Sequence, residues 1–354
     1  MKEADTSALA ALGLREDMEQ DVAAYAARGL LCGRVARVDR GACTVLTAEG
    51  PVRALATHGE AQAVVGDWVA VELGSDQDGA VIREVLPRRT QFIRGAAGDE
   101  TIQQVVAANM DTVLVLNGVD QRISLRRIER YLTLSWQSGA APIVVLTKAD
   151  LSDDLAPVVA EVESVTFGVP VIAISAPTGA GMELLQAHLQ PGTTAALLGM
   201  SGAGKSTLVN ALAGEDLQKV SEIRDRDGRG RHTTTHRELI LLPSGALVID
   251  TPGMRSVSLW NDGDGLAQTF ADVEQLAAEC KFRDCTHEQE PGCAVREAIR
   301  AGTLPAERLA SYRKLEGELR HQALKQDARA RADERRRWRT QSRAMRQSNQ
   351  TKRE

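Results

Sequence analysis

The sequence predicts a multidomain protein: a small OB-like β-barrel, then an α/β domain on a parallel sheet, then a mainly helical C-terminal region. Three observations carry this. Five short Val-rich runs crowd into residues 33–86. From about 105 to 250, apolar strand-like runs alternate with helical patterns. Beyond 257, helical periodicity takes over around a cluster of cysteines. A chain of 354 residues has room for two or three domains, each with its own core. Its 43% hydrophobic and 26% charged residues are ordinary globular values.

Residues 1–29 form an N-terminal extension. Met18, Val22 and Tyr25 fall at helical spacing there and predict one small helix. Residues 30–98 hold the barrel. GRVARV, CTVLTA, PVRALA, GDWVAVEL and AVIREVL read as five strands. Turn residues such as Asp39-Arg40-Gly41, Glu49-Gly50 and Ser75-Asp76 part them. Five strands in about 55 residues favour an OB-like fold. Such barrels often bind oligonucleotides, an analogy at the level of fold.

Residues 99–256 hold the α/β domain. DTVLVLN (111–117), PIVVL (142–146), VPVIAIS (169–175), TAALLG (194–199), ELILLP (238–243) and ALVID (246–250) read as strands. Helices are expected at 124–139, near 152–165, near 180–189 and from Lys205. Ile128, Tyr131, Leu132 and Leu134 lie on or near one face of the first. Near-continuous apolar strands alternating with helices indicate a parallel sheet covered on both faces.

GMSGAGKS, Gly199–Ser206, fits the pattern G-x-x-x-x-G-K-[ST] in full. It lies between an apolar strand and the helix STLVNALA, as that pattern requires. Gly199, Met200, Ser201, Gly202, Ala203 and Gly204 offer backbone around nucleotide phosphates, and the helix N-terminus adds a favourable dipole. Lys205 should reach the β- and γ-phosphates, Ser206 should ligate Mg²⁺, and Thr207 completes the loop's set. DTPG, Asp250–Gly253, ends the strand ALVID. Asp250 can hold Mg²⁺ through water, and the Gly253 N–H can bond the γ-phosphate. Between them lies GRGRHTTTHRE (228–238). One of Thr233, Thr234 or Thr235 should complete the magnesium shell, with Thr234 favoured. A long polar loop of this kind is usually functional or disordered.

VVLTKADL (144–151) is read as the base-recognising element. Guanine offers N1–H and N2–H₂ to the Asp150 carboxylate, whereas adenine presents an acceptor at N1. Such a mismatch discriminates by ~10⁴-fold. Lys148 would pack its stem over the base. Thr147 stands where Asn is usual, which is expected to weaken base anchoring while guanine specificity stays. Ser175-Ala176 follows the next strand, and the Ala176 N–H can bond guanine O6. GTP and GDP are therefore the expected ligands.

In a Ras-like GTPase the order is phosphate loop, switch Thr, DxxG, NKxD, SA. Here it is TKAD, SA, phosphate loop, Thr-rich loop, DTPG. The cyclic order is unchanged and only the chain ends have moved. α/β domains tolerate this because their termini often lie close together. The domain reads as a circularly permuted GTPase.

Residues 257–354 form the last region, which ends in a basic helix or tail. Leu309, Tyr312, Leu315 and Leu319 make an apolar stripe on a long helix. Before it, Cys280-x₄-Cys285-x-His287-x₅-Cys293 offers three thiolates and one imidazole. That is the ligand count of a closed, structural Zn²⁺ site; a catalytic zinc usually keeps one position open. Cys32 and Cys43 lie in the barrel and are expected to fill core space.

An OB-like barrel, a permuted GTPase and a Cys/His cluster in this order resemble the RsgA (YjeQ) family of small-ribosomal-subunit biogenesis GTPases. The resemblance runs from about residue 30 to 320. It includes VGDWV (65–69), RRIERYL (126–132), GMSGAGKSTLVNAL (199–212), GRGRHTTT (228–235) and IDTPGMR (249–255). It implies GTP hydrolysis stimulated by the 30S ribosomal subunit late in that particle's maturation. Met254 follows DTPG, where a water-positioning Gln would stand, and Met cannot orient a water. His232 in the Thr-rich loop is the nearest polar substitute, and the family is thought to use this switch-loop His. The expected catalytic set is His232, Lys205 and Gly253.

Net charge is −5. From Lys325 to Glu354 there are eleven Lys or Arg against four Asp or Glu, so this tail is +7 and the rest of the chain −12. A basic tail on an acidic body suggests a polyanionic partner. The 16S rRNA of the 30S subunit is expected, held largely through phosphates and therefore salt-sensitively. The alternative is a GTP-gated RNA-binding module acting on another RNA such as tRNA. TKAD and the Thr-rich switch disfavour an ATPase or small-molecule kinase. No apolar run nears the ~18–20 residues that span a bilayer, and the N-terminus lacks a signal-peptide core. A cytoplasmic or equally reducing compartment and a monomer are expected.

Overall fold

The computed structural model describes residues 6–39, 41–55, 62–74, 79–96, 99–217, 237–250, 259 and 263–323. His232 and Thr234 of the Thr-rich loop, Gly253 of DTPG and the basic tail lie outside the described residues. The N-terminal extension contributes two helices rather than one, α1 (Thr6–Ala11) and α2 (Glu19–Ala27). Leu9, Leu12, Leu14 and Val22 bury themselves against Trp68 and Leu86. In α1 only Leu9 is buried, so a six-residue helix leaves no period to read.

Five strands make the barrel: β1 (Leu31–Asp39), β2 (Ala42–Thr47), β3 (Gly50–Leu55), β4 (Trp68–Leu73) and β5 (Ala80–Val85). They pair in the order β1-β2-β3-β5-β4, and β4 returns to β1. This closure leaves the barrel no open edge. The β3–β5 pair is parallel and the others are antiparallel. Val35, Val45, Val69, Val71 and Ile82 fill the interior.

A hairpin that the sequence did not announce follows, β6 (Gln91–Ala96) and β7 (Asp99–Ala108). Phe92, Val106 and Ala107 of this hairpin enter the core of the α/β domain. The junction with the barrel is tight. Gly66 has φ +90°, and a Cβ there would lie 2.0 Å from the Ala108 carbonyl oxygen. Only glycine fits. Next to it, Asp67 is fully buried and takes a fork from Arg88, with Nε–Oδ1 at 2.7 Å and the second NH₂–Oδ2 at 2.8 Å. Arg34 is 1% exposed. It donates to the carbonyls of Leu12 at 2.5 Å, Gly66 at 3.3 Å and Asn109 at 2.8 Å. The stretch VGDWV thus joins extension, barrel and α/β domain.

The α/β sheet contains β8 (Thr112–Gly118), β9 (Ala141–Thr147), β10 (Val171–Ala173), β11 (Thr194–Gly199), β12 (Glu238–Leu241) and β13 (Leu247–Asp250). Their order is β10-β9-β8-β11-β13-β12. β12 runs antiparallel to β13, so the sheet is not wholly parallel as expected. The turn 242–246 explains it: Gly245 has φ +83° and Leu242 exchanges backbone bonds with Ala246 and Gly245. Helices α3 (Leu125–Gln137) and α4 (Ala156–Glu163) cover one face, through Ile128, Leu132 and Val162. Helices α5 (Met182–Gln186) and α6 (Lys205–Ala213) cover the other, through Leu185, Leu208 and Leu212. Arg37 of β1 pairs with Glu238 of β12, so barrel and domain share one eleven-stranded sheet.

The C-terminal region is helical: α7 (Gly263–Thr269), α8 (Ala271–Ala278), α9 (Ala294–Ala301) and α10 over 306–323. α10 buries Leu309, Leu315 and Leu319 in the same core as α3. Tyr312 meets Phe270 edge-on at 5.5 Å. Among the described residues no helix is long and apolar enough to cross a membrane.

Arg308 fastens this region down. It donates to Glu129 Oε1 at 2.8 Å, to both oxygens of Asp272 at 2.9 and 3.0 Å, and to the Thr269 carbonyl at 2.6 Å. Its guanidinium carbon lies 4.3 Å from the centroid of the Phe270 ring. Removing it would strand the buried Glu129 carboxylate. We expect Arg308→Ala to cost about 3–5 kcal/mol, seen as a lower urea midpoint at unchanged slope. A loss under about 1 kcal/mol would mean that the network is dispensable.

Candidate functional site

β8, β9, β10, β11 and β13 run parallel, so their C-terminal ends share one edge. TKAD leaves β9, Ser175-Ala176 follows β10, the phosphate loop leaves β11, and Asp250 closes β13. The predicted motifs therefore meet at the crevice where open α/β sheets place ligands. α6 starts at Lys205, with Gly204 at φ +81° as its N-cap. Ser206 and Thr207 lie half-buried in its first turn. The Lys205 ammonium donates to the carbonyls of Gly199 at 2.8 Å and Met200 at 2.7 Å, folded over its own loop. The Ala203 N–H closes the turn on the Met200 carbonyl at 3.2 Å, leaving Ser201 exposed and Gly202 half-buried at its tip.

Thr147 is buried, and its hydroxyl donates to the Ala203 carbonyl at 2.9 Å. Its Oγ1 would lie 3.3 Å from a Cβ placed on Gly204. Thr147 thus ties the TKAD loop directly to the GMSGAGKS loop. Lys148 adopts the left-handed conformation, φ +61°, unusual for a residue with a side chain. Its ammonium pairs with Asp120 at 2.6 Å. Asp120 follows β8 by two residues, and no motif spacing marks it. Asp150 is exposed in the single turn Ala149–Leu151. The Ala149 N–H reaches Ile174 O at 3.0 Å, linking TKAD to the residue before Ser175. Ser175 is buried, and its N–H donates to Ala180 O at 2.9 Å. Ala176 is half-buried beside it. Asp250 is 4% exposed at the sheet edge.

The four predicted metal ligands come together. The ligand atoms of Cys280, Cys285, His287 and Cys293 all lie within 4.8 Å of one another. Cys280 Sγ is 3.9 Å from Cys293 Sγ, and His287 Nδ1 is 3.6 and 3.4 Å from these two sulfurs. A tetrahedron with Zn–S near 2.3 Å has edges of about 3.8 Å. The cluster could hold a metal ion, and its dimensions suit zinc. The loop is shaped from within. Glu290 accepts from the Thr286 hydroxyl and from the N–H groups of Thr286, Glu288 and Gln289. These bonds, the Thr286 hydroxyl first, hold its carboxyl down to about 2. Arg313 of α10 clamps the Thr286 carbonyl at 2.8 Å. Neither Glu290 nor Arg313 carries a sequence signal, since both read as surface charges.

The RsgA GTPase family profile matches residues 85–260. A Streptomyces coelicolor protein named small ribosomal subunit biogenesis GTPase RsgA is 51% identical over 335 residues, which cover 92% of this chain and 91% of that one. The chain belongs to the RsgA GTPase family. A Methanosarcina acetivorans protein of the same name is 44% identical, covering 88% of this chain and 86% of that one. The crystal structure of YjeQ from Thermotoga maritima is similar at a TM-score of 0.61 and 28% identity, over 82% of this chain and 98% of that one. The fold of YloQ, described as a circularly permuted GTPase, matches at 0.60 over 82% of this chain and 96% of that one, at 24% identity.

For this RsgA family member the Thr147 bond gives a direct test. Thr147→Val keeps the shape and leaves the Ala203 carbonyl without its donor. GDP affinity should fall about 2- to 10-fold, the worth of one hydrogen bond. Titration with a fluorescent GDP analogue reads this, and an unchanged Kd would show the link to be idle.

Proposed function

We propose that this protein hydrolyses GTP to GDP and phosphate and acts late in biogenesis of the small ribosomal subunit, with the 30S particle stimulating turnover. The observation that carries the reading is the Thr147–Ala203 bond. It joins a base-reading loop to a phosphate loop, in a chain 51% identical to a relative named for that role. Asp150 accepts from guanine N1–H and N2–H₂, Lys148 covers the base, and the Ala176 N–H meets O6. Gly199–Thr207 hold the phosphates, with Lys205 released from its loop carbonyls to the γ end. Ser206, Thr234 and Asp250 would hold Mg²⁺, which when bound neutralises charge on the β- and γ-oxygens. His232 orients the attacking water, and the Gly253 N–H bonds the γ-phosphate.

The same reading divides the chain at 30, 99 and 257 into extension, barrel, permuted domain and zinc-binding region, with β6, just before 99, packed through Phe92 into the core of the permuted domain. A zinc ion on Cys280, Cys285, His287 and Cys293 would be structural, closing a loop that has little core of its own. The barrel and the basic tail bind 16S rRNA through phosphates. The protein works as a cytoplasmic monomer.

Purified 30S subunits should raise GTP turnover by orders of magnitude over free RNA. Equal stimulation by tRNA would favour a different RNA target. In the same assay His232→Ala should cut stimulated turnover and spare GTP binding; full turnover removes His232 from the mechanism. Asp150→Asn should prefer xanthine over guanine nucleotides, since the amide donates where the carboxylate accepted. No shift in preference would mean that TKAD does not read the base. Metal analysis should find one zinc per chain, and its removal by a chelator should speed amide exchange across 280–293. Metal-free protein with native protection there would refute a structural zinc.

A further inference from the structure

Beside the phosphate loop is a small open pocket that none of Gly204–Thr207 lines. Its walls are Asn117 at the end of β8, Arg122 in the next loop, Arg127 in the first turn of α3, and the stretch Met200–Ala203. The two charged side chains that line it are both cations, and the Gln121 amide and Ser201 hydroxyl beside them can also donate. Asn117 is 9% exposed, and its Nδ2 is buried with no hydrogen-bond partner among the described residues. Buried amides almost always find partners, so an orphan at a pocket wall marks a missing acceptor. The side chains of Arg122 and Arg127 form no ion pair or hydrogen bond among the described residues, whereas those of Arg34, Arg88 and Arg308 are all engaged. α3 is 13 residues long and points its N-terminus here, with no side-chain bond from its N-cap Ser124. Asp120, the carboxylate nearest in sequence, is taken by Lys148.

Two guanidinium groups, a buried amide N–H and a helix N-terminus together select an anion rich in acceptors. We propose that this pocket is a second phosphate site, adjoining the nucleotide cradle and sharing the wall Met200–Ala203 with it. The proposal rests on the reading that Gly199–Thr207 hold a nucleotide. The ligand is a phosphate group, and two sources supply one: the inorganic phosphate that hydrolysis releases, and the backbone of an RNA. In the first case the site receives the leaving phosphate beside the loop tip at Ser201-Gly202. In the second it seats one RNA phosphate next to the nucleotide.

The test uses the full chain loaded with GDP, and the variants Arg122→Glu and Arg127→Gln. Inorganic phosphate is titrated by calorimetry, and a single-stranded oligoribonucleotide by fluorescence anisotropy at several salt concentrations. If released phosphate is the ligand, the wild type binds inorganic phosphate saturably, and either variant weakens this about tenfold or more at unchanged GDP affinity. If RNA is the ligand, the variants instead weaken oligonucleotide binding and reduce its salt slope by about 1. The proposal is overturned if the variants alter neither binding, or if inorganic phosphate displaces GDP and so occupies the cradle. A wild type that binds no GDP would instead defeat the nucleotide reading. Arg122 is exposed, so its variant keeps the test decisive if Arg127→Gln fails to fold.

Discussion

One buried cation holds the helical region to the rest of the molecule. Arg308 brings its charge out of water, a step that costs several kcal/mol unless every N–H is engaged. Here the whole guanidinium fork is used: carboxylates from α3 and α8, a carbonyl from the end of α7, and an aromatic face beneath. A lysine, with one compact ammonium, could not span these directions at once. Arg34 solves the same problem differently. It meets three carbonyls and lies over the Trp68 ring, and burial pulls its pKa down to about 10, so it stays charged at neutral pH. Each arginine fixes angles between segments that apolar packing alone would leave free to slide.

Circular permutation leaves the site intact because the site is made of contacts between strand ends. The order β10-β9-β8-β11-β13-β12 holds TKAD, the phosphate loop and Asp250 on one edge wherever the chain begins. The bond from Thr147 to Ala203 crosses 56 positions of sequence. Its strength depends on the register of β8, β9 and β11, which runs through continuous apolar ladders such as Val113–Leu116 against Ala196–Gly199. The core therefore sets the precision of the loops.

Much of this was readable beforehand, for physical reasons. Alternating Val and Ala side chains in 33–86 give the period of strands with one dry face, and five strands appear there. Gly, Lys and Ser in the phosphate loop have fixed spacing because one strand–turn–helix geometry demands it. The Cys/His spacing likewise fits a tetrahedron. The hairpin of β6 and β7 was hidden, since Asp99, Glu100, Gln103 and Gln104 dilute its apolar alternation. The direction of β12 was hidden because an apolar run carries no sign. Asp120, Arg34 and Arg308 look like solvated charges in sequence; only the fold shows them paired. Thr147 looked like a weakened Asn, and the short reach from β9 to the phosphate loop gave its hydroxyl a partner.

Glu238 is a junction of three parts. It is the last residue of the Thr-rich segment 228–238, and in β12 it pairs with Arg37 of the barrel on one side and Asp250 on the other. β12 meets β13 along four rungs but meets the barrel at this one. Tension drawn along the chain from the segment before 237 would load that rung in shear before it reached the rest of the sheet. The barrel would register the strain through β1, the strand that also closes its wall.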